Sequence, residues 1–184
     1  MNRFNQLLLV PVAVVSAVGP GYSVVYMTVA QVQRLIFGGA KLIFRPVVLT
    51  DEQAKQIEKT TDVNVRQKEL KVWEVAGGGW LIVDEVVGKH EFITYAIGLT
   101  AGGRVKHIEI MDYRESFGYE VRRPEWRKQF VGKAASSPLT LNKDIQNISG
   151  ATLSCRHITD GVKRVLATYE VALRGHSTRR AARH

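Results

Sequence analysis

Apolar and polar positions alternate through the middle of the chain. Residues 70–75 (LKVWEV) follow the period-two pattern of a half-buried strand, three glycines at 77–79 make a turn, and 80–83 (WLIV) open the next strand. Residues 92–97 (FITYAI) and 105–111 (VKHIEIM) predict two more strands, joined by the compact hairpin loop at 99–103. Helical spacing appears on either side of this block. Thr50 and Gln53 form a capping-box pattern for a helix through about residue 60, with Asp51 and Glu52 in its first turn. Pro124 starts a short helix through Phe130, in which Trp126 and Phe130 fall on one face as a packing pair. Ile158, Val162, Val165, Leu166 and Tyr169 recur at helical spacing, which predicts a helix from 153 to about 172. Residues 35–37 and 43–44 are short apolar patches between glycines that open the domain. The order helix, strands, helix, loop, helix is that of an α+β fold: an antiparallel sheet with helices packed mainly on one face.

The first thirty residues break this pattern. A basic start at Arg3 precedes a twelve-residue apolar run at 7–18 and the helix-breaking triplet Gly19, Pro20, Gly21. That is the build of a secretory signal peptide, with a cut near Ser23 and residues 28–30 (TVA) as the alternative. The competing reading is a membrane anchor extending to about residue 30, through which the N-terminus associates with the membrane. The triplet argues against it, because it frees backbone groups in mid-helix where lipid offers them no partner. The expected organisation is a leader at 1–23, one domain at 24–173 and a basic, disordered tail at 174–184.

Charge changes the picture only at the ends. Of the formal +9, four arginines in 174–184 and Arg3 account for five, leaving a mild +4 for residues 4–173. Export and this placement disfavour nucleic acid as a partner. The single cysteine, Cys155, excludes an internal disulfide and a cysteine zinc cluster, and the five histidines lack metal-ligand spacing, so no metal site is expected. Any redox chemistry then calls for an organic cofactor.

Two stretches carry candidate chemistry. Residues 149–155 (SGATLSC) place small and hydroxyl-bearing side chains at the mouth of the last helix. The unpaired N–H groups of a first helical turn, together with the macrodipole, favour a phosphate there, while Ser149 or Thr152 acting as an ordinary cap satisfies the same pattern. Arg156 and His157 add charge nearby. The second stretch, 112–133, leaves a strand through Glu115, Phe117, Gly118 and Tyr119. Aromatics flanking a glycine there can stack on a planar ring, or pack with Trp126 and Phe130 as a satellite core.

Together the two stretches resemble the FMN-binding domain of exported flavoproteins, found in Rnf-type and sodium-pumping quinone reductase complexes and in NosR-like proteins. Asp144 followed by Ser149, Gly150, Ala151, Thr152 and Ser154 resembles its flavinylation motif. Gly98, Thr100 and Gly102 in a hairpin, Glu115 with Gly118, and Trp126, Phe130 and Gly132 follow the family's order. The resemblance covers about residues 80 to 170. It implies one covalent FMN per chain, joined through its phosphate to the Thr152 hydroxyl by a separate FAD-using flavin transferase after export. Ser149, Gly150 and Ala151 would shape the turn, with Leu153 and Ser154 as further cofactor contacts. Asp144 belongs to the transferase recognition sequence. Glu115, Phe117, Gly118 and Tyr119 would lie against the isoalloxazine ring. The implied function is a periplasmic carrier of electrons between membrane or haem partners, without a catalytic residue of its own. A small flavin-dependent reductase acting on a diffusible substrate and an unflavinylated binding module are the alternatives.

Overall fold

A computed structural model describes residues 24–175 of the chain. The apolar run at 7–18 and the tail beyond residue 175 lie outside the described residues. Seven strands form one antiparallel sheet: β1 (Val24–Val25), β2 (Leu42–Phe44), β3 (Val47–Val48), β4 (Glu69–Val75), β5 (Trp80–Val87), β6 (Phe92–Leu99) and β7 (Val105–Tyr113). Their spatial order is β1-β7-β6-β5-β4-β2, with β3 pairing on β4 as well. The four central strands are consecutive in sequence, as a meander built from tight hairpins requires. Four helices accompany the sheet: α1 (Val29–Phe37), α2 (Asp51–Thr61), α3 (Pro124–Arg127) and α4 (Thr152–Thr168). The α+β class expected from the pattern is the class observed.

One face of the sheet carries the main core. Ile82, Ile97 and Ile108 pair directly across β5, β6 and β7 and pack with Ile158, Val162, Val165 and Leu166 of α4. Trp126 and Phe130 join this core, their rings 5.1 Å apart and edge to face, so the expected packing pair forms. The opposite face is smaller. Leu81, Val83, Ala96 and Met111 meet Val32 and Ile36 of α1 there. Because both faces of β5 are covered at this point, its residues 80–83 form an unbroken apolar run where a one-sided strand would alternate. The helix α2 carries the capping box read from Thr50 and Gln53, and packs through Ile57 against Ala167 of α4.

Two contacts fix α4 along its length. Gly161 lies over Tyr95, whose hydroxyl donates to Asp84 and which shares that carboxylate with Arg164. Farther on, α4 continues as a π-helical turn, Tyr169–Leu173, and the Tyr169 hydroxyl donates to the Ala101 carbonyl at 2.7 Å in the β6–β7 hairpin. That hairpin therefore sits at the C-terminal end of α4. Its N-terminal end lies roughly 25 Å away, at 1.5 Å per residue.

Candidate functional site

At that N-terminal end the loop leaving β7 meets the start of α4. Gly118 has φ +89°, and a Cβ built on it would stand 2.7 Å from both the Ser154 Oγ and the Tyr113 hydroxyl. The Tyr113 hydroxyl donates to the Phe117 carbonyl at 2.5 Å and takes a hydrogen bond from Ser154 Oγ at 2.9 Å. Partial burial raises the Tyr113 pKa, which keeps this donor protonated. The chain here thus turns sharply against the helix. As a result it holds Phe117, 82% exposed, and Tyr119, 55% exposed, outside the core. Leu153 is also exposed, on the first turn of α4. Of the two readings of Phe117, the satellite core is therefore excluded.

The helix start settles the capping question as well. The N-cap residue is Ala151, which offers no side-chain acceptor, and no side chain caps the helix. The first intrahelical bond runs from the Cys155 N–H to the Ala151 carbonyl at 2.9 Å, so the N–H groups of Thr152, Leu153 and Ser154 precede it. Thr152 is exposed, and its Oγ1 accepts from Asn147 Nδ2 at 3.0 Å. Gly150 has φ +85° and nothing within 4 Å of where a Cβ would be, which leaves the approach to this turn open. Ser149 is exposed next to it. Cys155 is fully buried, and that burial pushes its thiol pKa up, so it is a poor nucleophile.

Residues 88–167 match the family model of the FMN-binding domain. Over this span the chain is similar to the FMN-binding domain family. The matched span takes in β6, β7, α3 and all of α4 but its last residue, and so includes the whole junction just described. No curated protein matches the chain.

Within the matched span the remaining motif residues fall into place by contact. Glu115 reaches the β5–β6 hairpin, where its Oε1 accepts from the N–H groups of His90 and Glu91. Desolvation works against its charge, but the N–H groups of Glu91, His90 and Lys89 outweigh it and hold the carboxyl below its ordinary pKa. Asp144 accepts from Lys133 Nζ at 2.8 Å and from the N–H groups of Leu139 and Thr140. Desolvation again opposes the charge, and the Lys133 ammonium with these N–H groups wins, lowering the pKa. In this structure Asp144 therefore organises its own loop. The hairpin at 99–103 lies at the far end of α4, outside the site, where Thr100 Oγ1 accepts from the Arg104 N–H. Arg156 is exposed, whereas His157 turns into a groove with Val86, Val87 and Arg164.

Sequence reasoning passes over Asn147 and Tyr113. Each acts through a partner that the chain order does not announce, Thr152 for the first and Ser154 for the second. Among the described residues no group of His, Cys, Asp and Glu could hold a metal ion, and no helix is long and apolar enough to cross a membrane.

Proposed function

We propose that Thr152 carries FMN through a phosphoester to its Oγ1, and that the domain serves as an exported electron carrier. The observation that carries this reading is an exposed threonine hydroxyl at a helix N-terminus that no side chain caps. Unpaired N–H groups and the positive end of the macrodipole favour phosphate charge at that point, which supports attachment through phosphate. The exposed Phe117, Tyr119 and Leu153 give an isoalloxazine ring apolar surface beside the attachment point, so the residues present fit the cofactor. Bound FMN supplies reversible one- and two-electron chemistry. The protein's part is to tether the flavin at Thr152, cover part of it with the aromatics, and hold the loop through Gly118, Ser154 and Glu115.

Maturation then needs an FAD-using flavin transferase, and turnover needs a membrane or haem partner on each side of the carrier. Export is proposed with a leader ending near residue 23. Supporting that boundary, β1 already pairs with Asp112 and Tyr113, Tyr26 stacks under the Arg122 guanidinium, and Thr28 caps α1. A cut after Ala30 would remove all three.

Expression with and without an active flavin transferase tests the assignment. With it, intact mass should show one FMN per chain, retained on denaturation and mapped to the peptide holding Thr152. Thr152→Ala should abolish the label, while Cys155→Ser should keep it. A colourless wild type from the transferase-bearing host would sink the reading.

A further inference from the structure

Asn147 lies in the turn before α4, and nothing in the fold's own capping explains it. Its Nδ2 donates to Thr152 Oγ1 at 3.0 Å, while its Oδ1 is buried without a partner. Reversing the amide exchanges the two atoms but still leaves one buried end unpaired. Buried polar atoms are paired as a rule, so one left unpaired next to an exposed hydroxyl calls for a reason. Capping is not that reason, since the amide meets a side-chain hydroxyl and no helix N–H.

We infer that Asn147 is a positioning residue for flavin attachment, on the premise that Thr152 is the acceptor. Its amide occupies one side of Oγ1 and fixes the Thr152 rotamer, leaving the other side of the oxygen directed at solvent. In the attachment step Oγ1 forms a bond to the flavin-side phosphorus of FAD. The phosphoanhydride bond breaks, AMP leaves with its electron pair, and the hydroxyl proton is lost to solvent. The ester oxygen that results is a weak acceptor, but it brings anionic phosphate oxygens next to Nδ2. The same N–H group then gains a charge-assisted partner. Asn147 therefore holds the hydroxyl before the reaction and the phosphate after it.

The full-length chain, an active flavin transferase and FAD provide the test, with initial attachment rates read by in-gel flavin fluorescence over a range of acceptor concentrations. Asn147→Ala should lower kcat about tenfold while KM changes less than about twofold, as expected for lost orientation. Asn147→Asp should be slower still. Its carboxylate can accept from the Thr152 hydroxyl and keep the turn intact, yet it repels the incoming phosphate. A purely structural role would give the opposite order. In labelled wild-type protein the Asn147 side-chain amide resonances should move on attachment. Variant rates equal to wild type, or unmoved amide resonances, overturn this inference and leave Thr152 as the acceptor. A wild type that takes no FMN overturns both.

Discussion

At the scale of single residues, Gly118 is where sequence, backbone and site meet. Its positive φ is accessible to glycine at little strain, and its missing side chain is what lets Ser154 and Tyr113 close on the loop. Gly118→Ala should therefore suffer twice, from backbone strain of about 1 kcal/mol or more and from a Cβ pressed against two hydrogen-bonded hydroxyls. We expect a loss of about 2–3 kcal/mol in urea unfolding and, on the proposal that Thr152 is the acceptor, slower flavin attachment. Gly150→Ala is the control, having the same sign of φ with open space around it. It should lose only the strain, about 1 kcal/mol. Equal losses for the two would mean that the contact with Ser154 and Tyr113 contributes nothing.

At the scale of elements, the sequence was readable wherever the pattern is local. The helix α2 has its capping box, β4 its alternation, and α4 its apolar stripe. The structure lengthens β6 and β7 by two residues each but keeps their place. The helix α1 escaped the reading because it is nine residues long and its buried face is two side chains, Val32 and Ile36. The capping box at Thr28 and Gln31 is nevertheless present in the sequence. At the candidate site, the turn at Gly150 before α4 is a local signal, whereas the reading of Thr152 as an acceptor rests on the resemblance. The junction of Ser154 with Tyr113, 41 residues apart, was not legible, because only the packing of α4 on β7 creates it. Gly161 shows the same limit from the other direction. Inside a helix, Ala should beat Gly by about 1 kcal/mol, so the sequence alone argues for replacing it. The structure puts its Cβ 2.2 Å from the Tyr95 hydroxyl, which would drive that group off Asp84 and leave the buried pair with Arg164 disordered. The second effect is the larger, and Gly161→Ala should destabilise by about 2–4 kcal/mol. In a Tyr95→Phe background the same substitution should cost markedly less, which a double-mutant cycle in denaturant would read as coupling.

At the scale of the whole molecule, two carboxylates tie down loops at opposite ends of α4. Glu115 ties the aromatic loop to the β5–β6 hairpin at the site end, and Asp144 ties the loop before α4 to Lys133 at the other end, where the Lys133 carbonyl accepts from Val105 and the Tyr169 hydroxyl holds the hairpin at 99–103. Both carboxyl groups have pKa values lowered by folding. Between the folded and unfolded values the unfolded chain binds more protons, so stability rises with pH across that window. Their contribution is therefore complete above the ordinary carboxylate range, about 4, and is lost as pH falls through the depressed folded values. Acidification should loosen these two loops before the helix between them. Hydrogen exchange followed downward from neutral pH, corrected for intrinsic rates, should show protection falling at His90, Glu91, Leu139 and Thr140 while the amides of Val162 to Leu166 in α4 remain closed. Glu115→Gln separates the charge from the contact. Its amide oxygen can still accept from His90 and Glu91, but more weakly, so those two amides should exchange several-fold faster at neutral pH and lose most of their acid sensitivity. If the amides in the middle of α4 opened first, the two carboxylates would not be what holds these loops in place.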